Sequence, residues 1–183
     1  MRWKNTEERY GYIAMLLHWL IGALLIGMTV VGLYMTSLQD GDDKYALYAL
    51  HKSIGIIVFV LVVARILWRS NSVLPSLPNN LKWIEMELVQ LTHKFLYVAM
   101  FVLPVSGYIN TSAGDFKLDF FGLYNIPKVI PEDGFIEVLF LAIHTGIAYA
   151  LIAFIVLHIG AAIKHHFILK DNVLRRMWPI RLK

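Results

Sequence analysis

The sequence contains no cysteine. That excludes disulfides, thiolate-held iron–sulfur clusters, a zinc ribbon and covalent haem attachment through C-x-x-C-H. Charge is also scarce: 16% of the 183 residues are Asp, Glu, Lys or Arg, against 58% hydrophobic. With a mean hydropathy of +0.60, the chain belongs with integral membrane proteins and not with soluble domains. There is no low-complexity tract or solenoid repeat. No cleavable signal peptide is expected, because the first apolar segment is too long for an h-region and lacks a small-residue cleavage site. With thiols missing, the seven histidines are the only strong transition-metal ligands present in quantity. The formal net charge of +4 calls for no nucleic acid, since membrane proteins gather Lys and Arg on their cytoplasmic flank.

What is there is a set of long apolar runs. A spanning helix needs roughly 20 apolar residues, and four segments qualify, at about 13–35, 47–68, 90–112 and 136–165. The chain therefore reads as all-α, one domain over 1–183, an integral membrane bundle of four transmembrane helices. Pro104 falls inside the third span, where a kink is expected. All but Lys44, Lys52, Lys117 and Lys128 of the seventeen Lys and Arg fall on one side of this layout. Both termini are thus expected in the cytoplasm, with Trp3, Trp68, Trp83 and Trp178 as anchors at that interface. Residues 75–89 form a cytoplasmic linker with scope for a short surface helix. Residues 112–134, rich in Gly and Pro, form the long outer loop and not a fifth span.

The histidines sit at meaningful intervals. His144 and His158 are fourteen residues apart, which returns them to nearly one face of a helix at a separation of about 21 Å. One metal cannot touch both, but two stacked sites can. Span one supplies His18 toward the cytoplasmic end and span two supplies His51 toward the outer end. Four histidines on three helices thus resolve into an inner pair, His18 with His158, and an outer pair, His51 with His144. Each pair is suited to grip a flat macrocycle as a bis-histidine haem b, giving two haems that transfer electrons and bind no oxygen. Arg65 lies fourteen residues after His51, at the inner level. It reads equally well as a haem-propionate partner and as an ordinary positive flank. Gly22 and Gly55, one turn past His18 and His51, suit close approach of a ring or of a neighbouring helix. His93 is either a third inner candidate or a structural or substrate-site residue. His165 and His166 lie at the inner interface, either as proton acceptors for a quinol or as polar residues of a basic tail.

Several stretches resemble the bacterial cytochrome b561 family of di-haem, four-helix membrane proteins. They are "HW" at His18, "LHKSIGI" around His51, "VARILWR" closing span two, "TH" with "LPVSGY" in span three, and above all the tail "KHHFILKDNVLRRMWP". The resemblance covers essentially the whole chain. It implies haem ligation by His18 and His158 on the cytoplasmic side and by His51 and His144 on the periplasmic side of a bacterial inner membrane. It also implies exchange with ubiquinone or another quinone near the tail histidines. One activity known in the family is superoxide oxidation at the periplasmic face with ubiquinone as acceptor. The outer segments here carry Asp40, Asp42, Asp43, Asp115, Asp119, Glu132, Asp133 and Glu137 against four lysines. Such a face does not steer an anion inward and suits a basic or neutral periplasmic partner.

The expected function is a di-haem conduit between the quinone pool and a periplasmic donor or acceptor. Two alternatives are a membrane-anchor cytochrome b subunit of a dehydrogenase or hydrogenase, and a haem-free metal transporter. Transporters usually show repeat symmetry and broken helices, which this sequence lacks.

Overall fold

The computed structural model describes residues 3–76 and 82–178. Four long helices dominate it: α1 (Tyr12–Ser37), α2 (Asp42–Ser70), α3 (Trp83–Ala113) and α4 (Gly134–Ile163). All four are long and apolar enough to cross a membrane. The first three apolar windows read from sequence fall inside α1, α2 and α3, which overrun them where local capping continues the backbone ladder, whereas the fourth, 136–165, runs two residues past the end of α4. Asp42 and Asp43 in the first turn of α2 complement its dipole, so that helix starts five residues before its apolar run. Glu85 accepts from the Lys82 N–H at 3.1 Å and starts α3 at Trp83. The first turn of this helix therefore stands where a separate surface helix was expected; residues 77–81 of that linker lie outside the described residues. The Asp133 carboxylate caps α4, accepting from the Phe135 and Ile136 amides at 2.9 and 3.0 Å, an arrangement that favours helix initiation. Helix α3 runs through Pro104 without interruption.

The outer loop is a loop, as its composition indicates, but it contains a small hairpin, β1 (Asp119–Phe120) with β2 (Tyr124–Asn125). Phe121 and Gly122 turn it with φ of 51° and 73°, the left-handed region where glycine is at ease. The hairpin is tied to α2. The Ser53 hydroxyl accepts from the Phe121 amide at 3.1 Å and lies 3.0 Å from the Asp119 carbonyl, while Lys52 donates to the Lys117 carbonyl at 2.9 Å.

At the opposite end three segments interlock. Asn5 donates to the Val73 carbonyl at 2.9 Å, Arg9 to that of Trp178, Arg176 to that of Ser76 at 2.6 Å, and the Trp19 indole to Met177 O at 2.8 Å. Both termini and the α2–α3 connection therefore share one end of the bundle, called here the termini end; the hairpin marks the loop end. Helix α4 passes into a π-helical turn, Lys164–Ile168, which closes at Lys170 with φ of 54°. A one-turn helix, α5 (Val173–Arg176), follows.

The core lies at mid-depth. Ile21, Val58, Val62 and Met100 form one buried cluster, and Ala99, Leu103 and Leu151 a second, with Leu25 packed against both. Many other large apolar side chains face outward, among them Leu16, Val30, Val60, Val98 and Val156. That pattern belongs in lipid, where an outward apolar face costs nothing. The closest helix pairs are α3 with α4, α1 with α2, and α2 with α3.

Candidate functional site

A fourteen-residue interval organises all four helices. On α1 it joins His18 to Gly32, on α2 His51 to Arg65, on α3 His93 to Gly107, and on α4 His144 to His158. Alternate helices run in opposite directions, so these eight residues form two tiers. The termini-end tier holds His18, Arg65, His93 and His158, and the loop-end tier holds Gly32, His51, Gly107 and His144. The midpoints of the four intervals are Leu25, Val58, Met100 and Leu151, all members or close neighbours of the buried clusters. The packed core is therefore the layer that separates the tiers.

In the loop-end tier the rings of His51 and His144 lie edge-on, inclined at 72°, with centroids 6.3 Å apart. In the termini-end tier His18 and His158 stand 6.0 Å apart, with His93 5.5 Å from His158. A metal–imidazole bond is about 2.0 Å and a ring atom lies about 1 Å from its centroid, so two imidazoles on opposite sides of one metal ion have centroids about 6 Å apart. Both separations match that value. Neither α1 with α4 nor α2 with α4 is among the closely packed pairs, so the rings reach across gaps where the backbones stand apart.

The hydrogen bonds fix one ring's tautomer. The Nδ1–H of His144 donates to the Leu103 carbonyl at 2.9 Å, and the buried Ser106 hydroxyl, 3.2 Å from Nδ1, donates to the same carbonyl. The lone pair of His144 is then on Nε2, the arrangement metal-bound histidines adopt when a backbone carbonyl holds their other nitrogen. His51 Nδ1 is buried and has no hydrogen-bond partner among the described residues, a costly state for a polar atom. At the other tier Arg65 donates to the Ala14 carbonyl at 3.0 Å and lies 3.3 Å from His18 Nδ1, with its guanidinium over the Tyr97 ring. Arg65 thus stands at the level of the inner pair, its fork within reach of a carboxylate there.

Two residues that sequence reasoning passed over are Gly32 and Gly107. A Cβ on Gly107 would lie 3.2 Å from His144 Cε1 and Nδ1, and one on Gly32 would lie 3.5 Å from His51 Cε1. These are the glycines that meet the imidazoles; Gly55, expected to allow close approach, meets the Met28 methyl of the neighbouring α1 at 3.8 Å, and nothing lies within 4 Å of a Cβ at Gly22. The signal was present, because each glycine completes the fourteen-residue interval on its own helix.

The two tail histidines part company. His165 turns its Nδ1 to Asp171, 2.5 Å away, and both side chains are largely covered. His166 packs edge-on against Phe167 and does not join that pair. Partial desolvation pushes the Asp171 carboxyl up, but the hydrogen bonds from His165 and the Val173 amide, with the Arg176 charge, outweigh it and hold it below the ordinary carboxylate range.

Comparison with known proteins gives the geometry its context. Residues 9–179 match the family described as prokaryotic cytochrome b561. Cytochrome b561 homolog 2 of Escherichia coli strain K12 is 34% identical over 178 residues, covering 97% of this chain and 95% of the relative. Cytochrome b561 homolog 1 of the same strain is 31% identical, covering 95% and 99%. A probable superoxide oxidase, CybB, of Yersinia pestis is 26% identical, covering 94% and 97%. The chain belongs to the prokaryotic cytochrome b561 family, and with its four spanning helices it is a multi-pass membrane cytochrome of the b type.

Proposed function

We propose that this protein carries electrons through a bacterial inner membrane between the quinone pool and a partner at the far face, using two haem b groups held one above the other. The carrying observation is the pair of imidazoles at each tier, 6.0 and 6.3 Å apart. In this reading His18 and His158 would hold one group and His51 and His144 the other, in one domain. A haem b held by two histidines would supply one-electron transfer. Among the described residues no three His, Asp or Glu side chains gather in a geometry suited to caging a bare ion, which favours haem over a transported metal. Two rings suffice when a macrocycle supplies the other nitrogens.

The chain's own residues have distinct roles in this scheme. The Leu103 carbonyl holds His144 by Nδ1–H and keeps Nε2 free. If His18 held the haem through Nε2, its ring proton would sit on Nδ1, which would not accept from Arg65, and the guanidinium would be available to a propionate. In this reading the termini end, which carries most of the Lys and Arg, faces the cytoplasm. There His165, its Nδ1–H held by Asp171, keeps Nε2 as the basic nitrogen. A quinol that gives up two electrons also gives up two protons, and His165 Nε2 takes the first of them.

The quinone assignment is tested by stopped-flow reduction of the haem with a quinol. His165→Asn should slow reduction about a hundredfold or more, in the range of general-base effects, and Asp171→Asn in the same direction, with both haems retained. Rates equal to the unsubstituted protein would return His165 to a structural role.

The CybB relative is named a probable superoxide oxidase, which favours superoxide as one candidate for the far-face donor. Two superoxide anions, one quinone and two protons would give two dioxygen molecules and one quinol. The acidic loops repel such an anion, so if superoxide is the donor its rate should rise with ionic strength as that repulsion is screened. A rate that falls with salt means that local cations, Lys52 or Lys117, dominate the approach.

A further inference from the structure

At the termini end a groove of about 620 Å³ lies between the last turns of α2 and the middle of α3. Arg69 and Ser72 stand at its mouth, and Ile66, Tyr97, Val98 and Phe101 line it. Helix α2 runs toward the termini end, so Ile66 is about 4.5 Å deeper than Arg69. Helix α3 runs away from that end, so Phe101 is about 6 Å deeper than Tyr97. The groove is therefore polar and cationic at the interface and apolar toward mid-membrane. Val98 and Phe101 are exposed on the bundle's outer surface, so the groove opens to lipid and not to the tiers.

The mouth has one sign of charge. No acidic residue lines the groove, and Arg69 forms no ion pair among the described residues. Its guanidinium is steadied instead over the Tyr97 ring, 5.3 Å from the centroid, a contact that leaves the edge N–H groups to donate. We propose that the groove is a binding site for one anionic phospholipid. The phosphate is held by Arg69 and the Ser72 hydroxyl, and an acyl chain lies along Ile66, Val98 and Phe101. A quinone ring, being neutral, has no use for the unpaired guanidinium. The site lies away from the His165–Asp171 pair, so the proposal stands apart from the quinone assignment.

The test is native mass spectrometry of the full-length haem-loaded protein, purified with an equimolar mixture of phosphatidylglycerol and phosphatidylcholine of identical chains. One retained phosphatidylglycerol per chain is expected, preferred over phosphatidylcholine about fivefold, as one cation near the headgroups contributes. Arg69→Gln should abolish the preference, whereas Lys94→Gln, an exposed cation of the same end outside the groove, should keep it. Val98→Trp fills the groove and should release the retained lipid of either kind, which keeps the proposal open to refutation if Arg69→Gln fails to fold. An unchanged preference in Arg69→Gln, an equal loss in Lys94→Gln, a retained quinone in place of lipid, or lipid retained by Val98→Trp would each overturn it. So would inorganic phosphate raising the Tm as much as phosphatidylglycerol does, since then the apolar wall is not used.

Discussion

Replacing His144 with alanine should remove one haem and leave the other, lowering the haem-to-protein ratio from two to one. The selectivity follows from the architecture. The two tiers are about 21 Å apart along α4, and Leu25, Val58, Met100 and Leu151 fill the layer between them. A hole opened at the loop end has no path of loosened packing to the termini end. Loss of His144 also leaves the Leu103 carbonyl without its imidazole donor, so ligand and support vanish together. His51→Ala should give the same spectrum. At the other tier the two ligands should differ. His158 stands within 6.0 Å of His18 and 5.5 Å of His93, so His158→Ala leaves no pair, whereas His18→Ala leaves His93 beside His158. The first should empty the termini-end site and the second should leave it partly filled, with an altered spectrum. The double variant at His18 and His93 should match His158→Ala. Retention of both haems by all four single variants would remove these histidines from the account.

Gly107→Val should empty the loop-end haem site without touching the histidines. A Cβ at this position already stands 3.2 Å from two atoms of the His144 ring, and a β-branched side chain adds two methyl groups beyond it. The ring must turn, and turning breaks its 2.9 Å bond to Leu103. Overpacking of this kind costs about 1–3 kcal/mol, which weakens haem retention roughly five- to 150-fold at that tier. Gly107→Ala should cost much less, because a shift of tenths of an ångström accommodates one methyl. Gly27→Val is the control: Gly27 is exposed, between the tiers, and borders open space. Haem content and the visible spectrum read out all three. Equal losses in Gly27→Val and Gly107→Val would mean a general helix effect, with no special role for the contact with His144.

Much of this was legible in the sequence because membranes simplify the reading. Lipid demands long apolar helices, so the four runs mark α1 to α4, and the fourteen-residue interval puts histidines at two depths before any contact is known. The same interval also runs through Gly32 and Gly107, but glycine has no chemistry of its own to draw attention, and its meaning here is the space it leaves beside an imidazole. Helix ends were less legible, since Asp42 and Glu85 extend the backbone ladder beyond the apolar runs. The His165–Asp171 pair was hidden by the π-helical turn, which breaks the 3.6-residue register from which faces are inferred. The partners of His144 were hidden as well, because a backbone carbonyl such as that of Leu103 leaves no trace in residue identity.

The most direct measurement is haem content per chain, from the pyridine haemochrome and the reduced-minus-oxidised visible spectrum of the purified protein with its concentration determined independently. Two b-type haems per chain are expected, resolved as two components in a redox titration. A colourless protein would contradict the assignment outright, and a ratio that stays at two haems per chain when His51 or His144 is replaced would contradict the loop-end site.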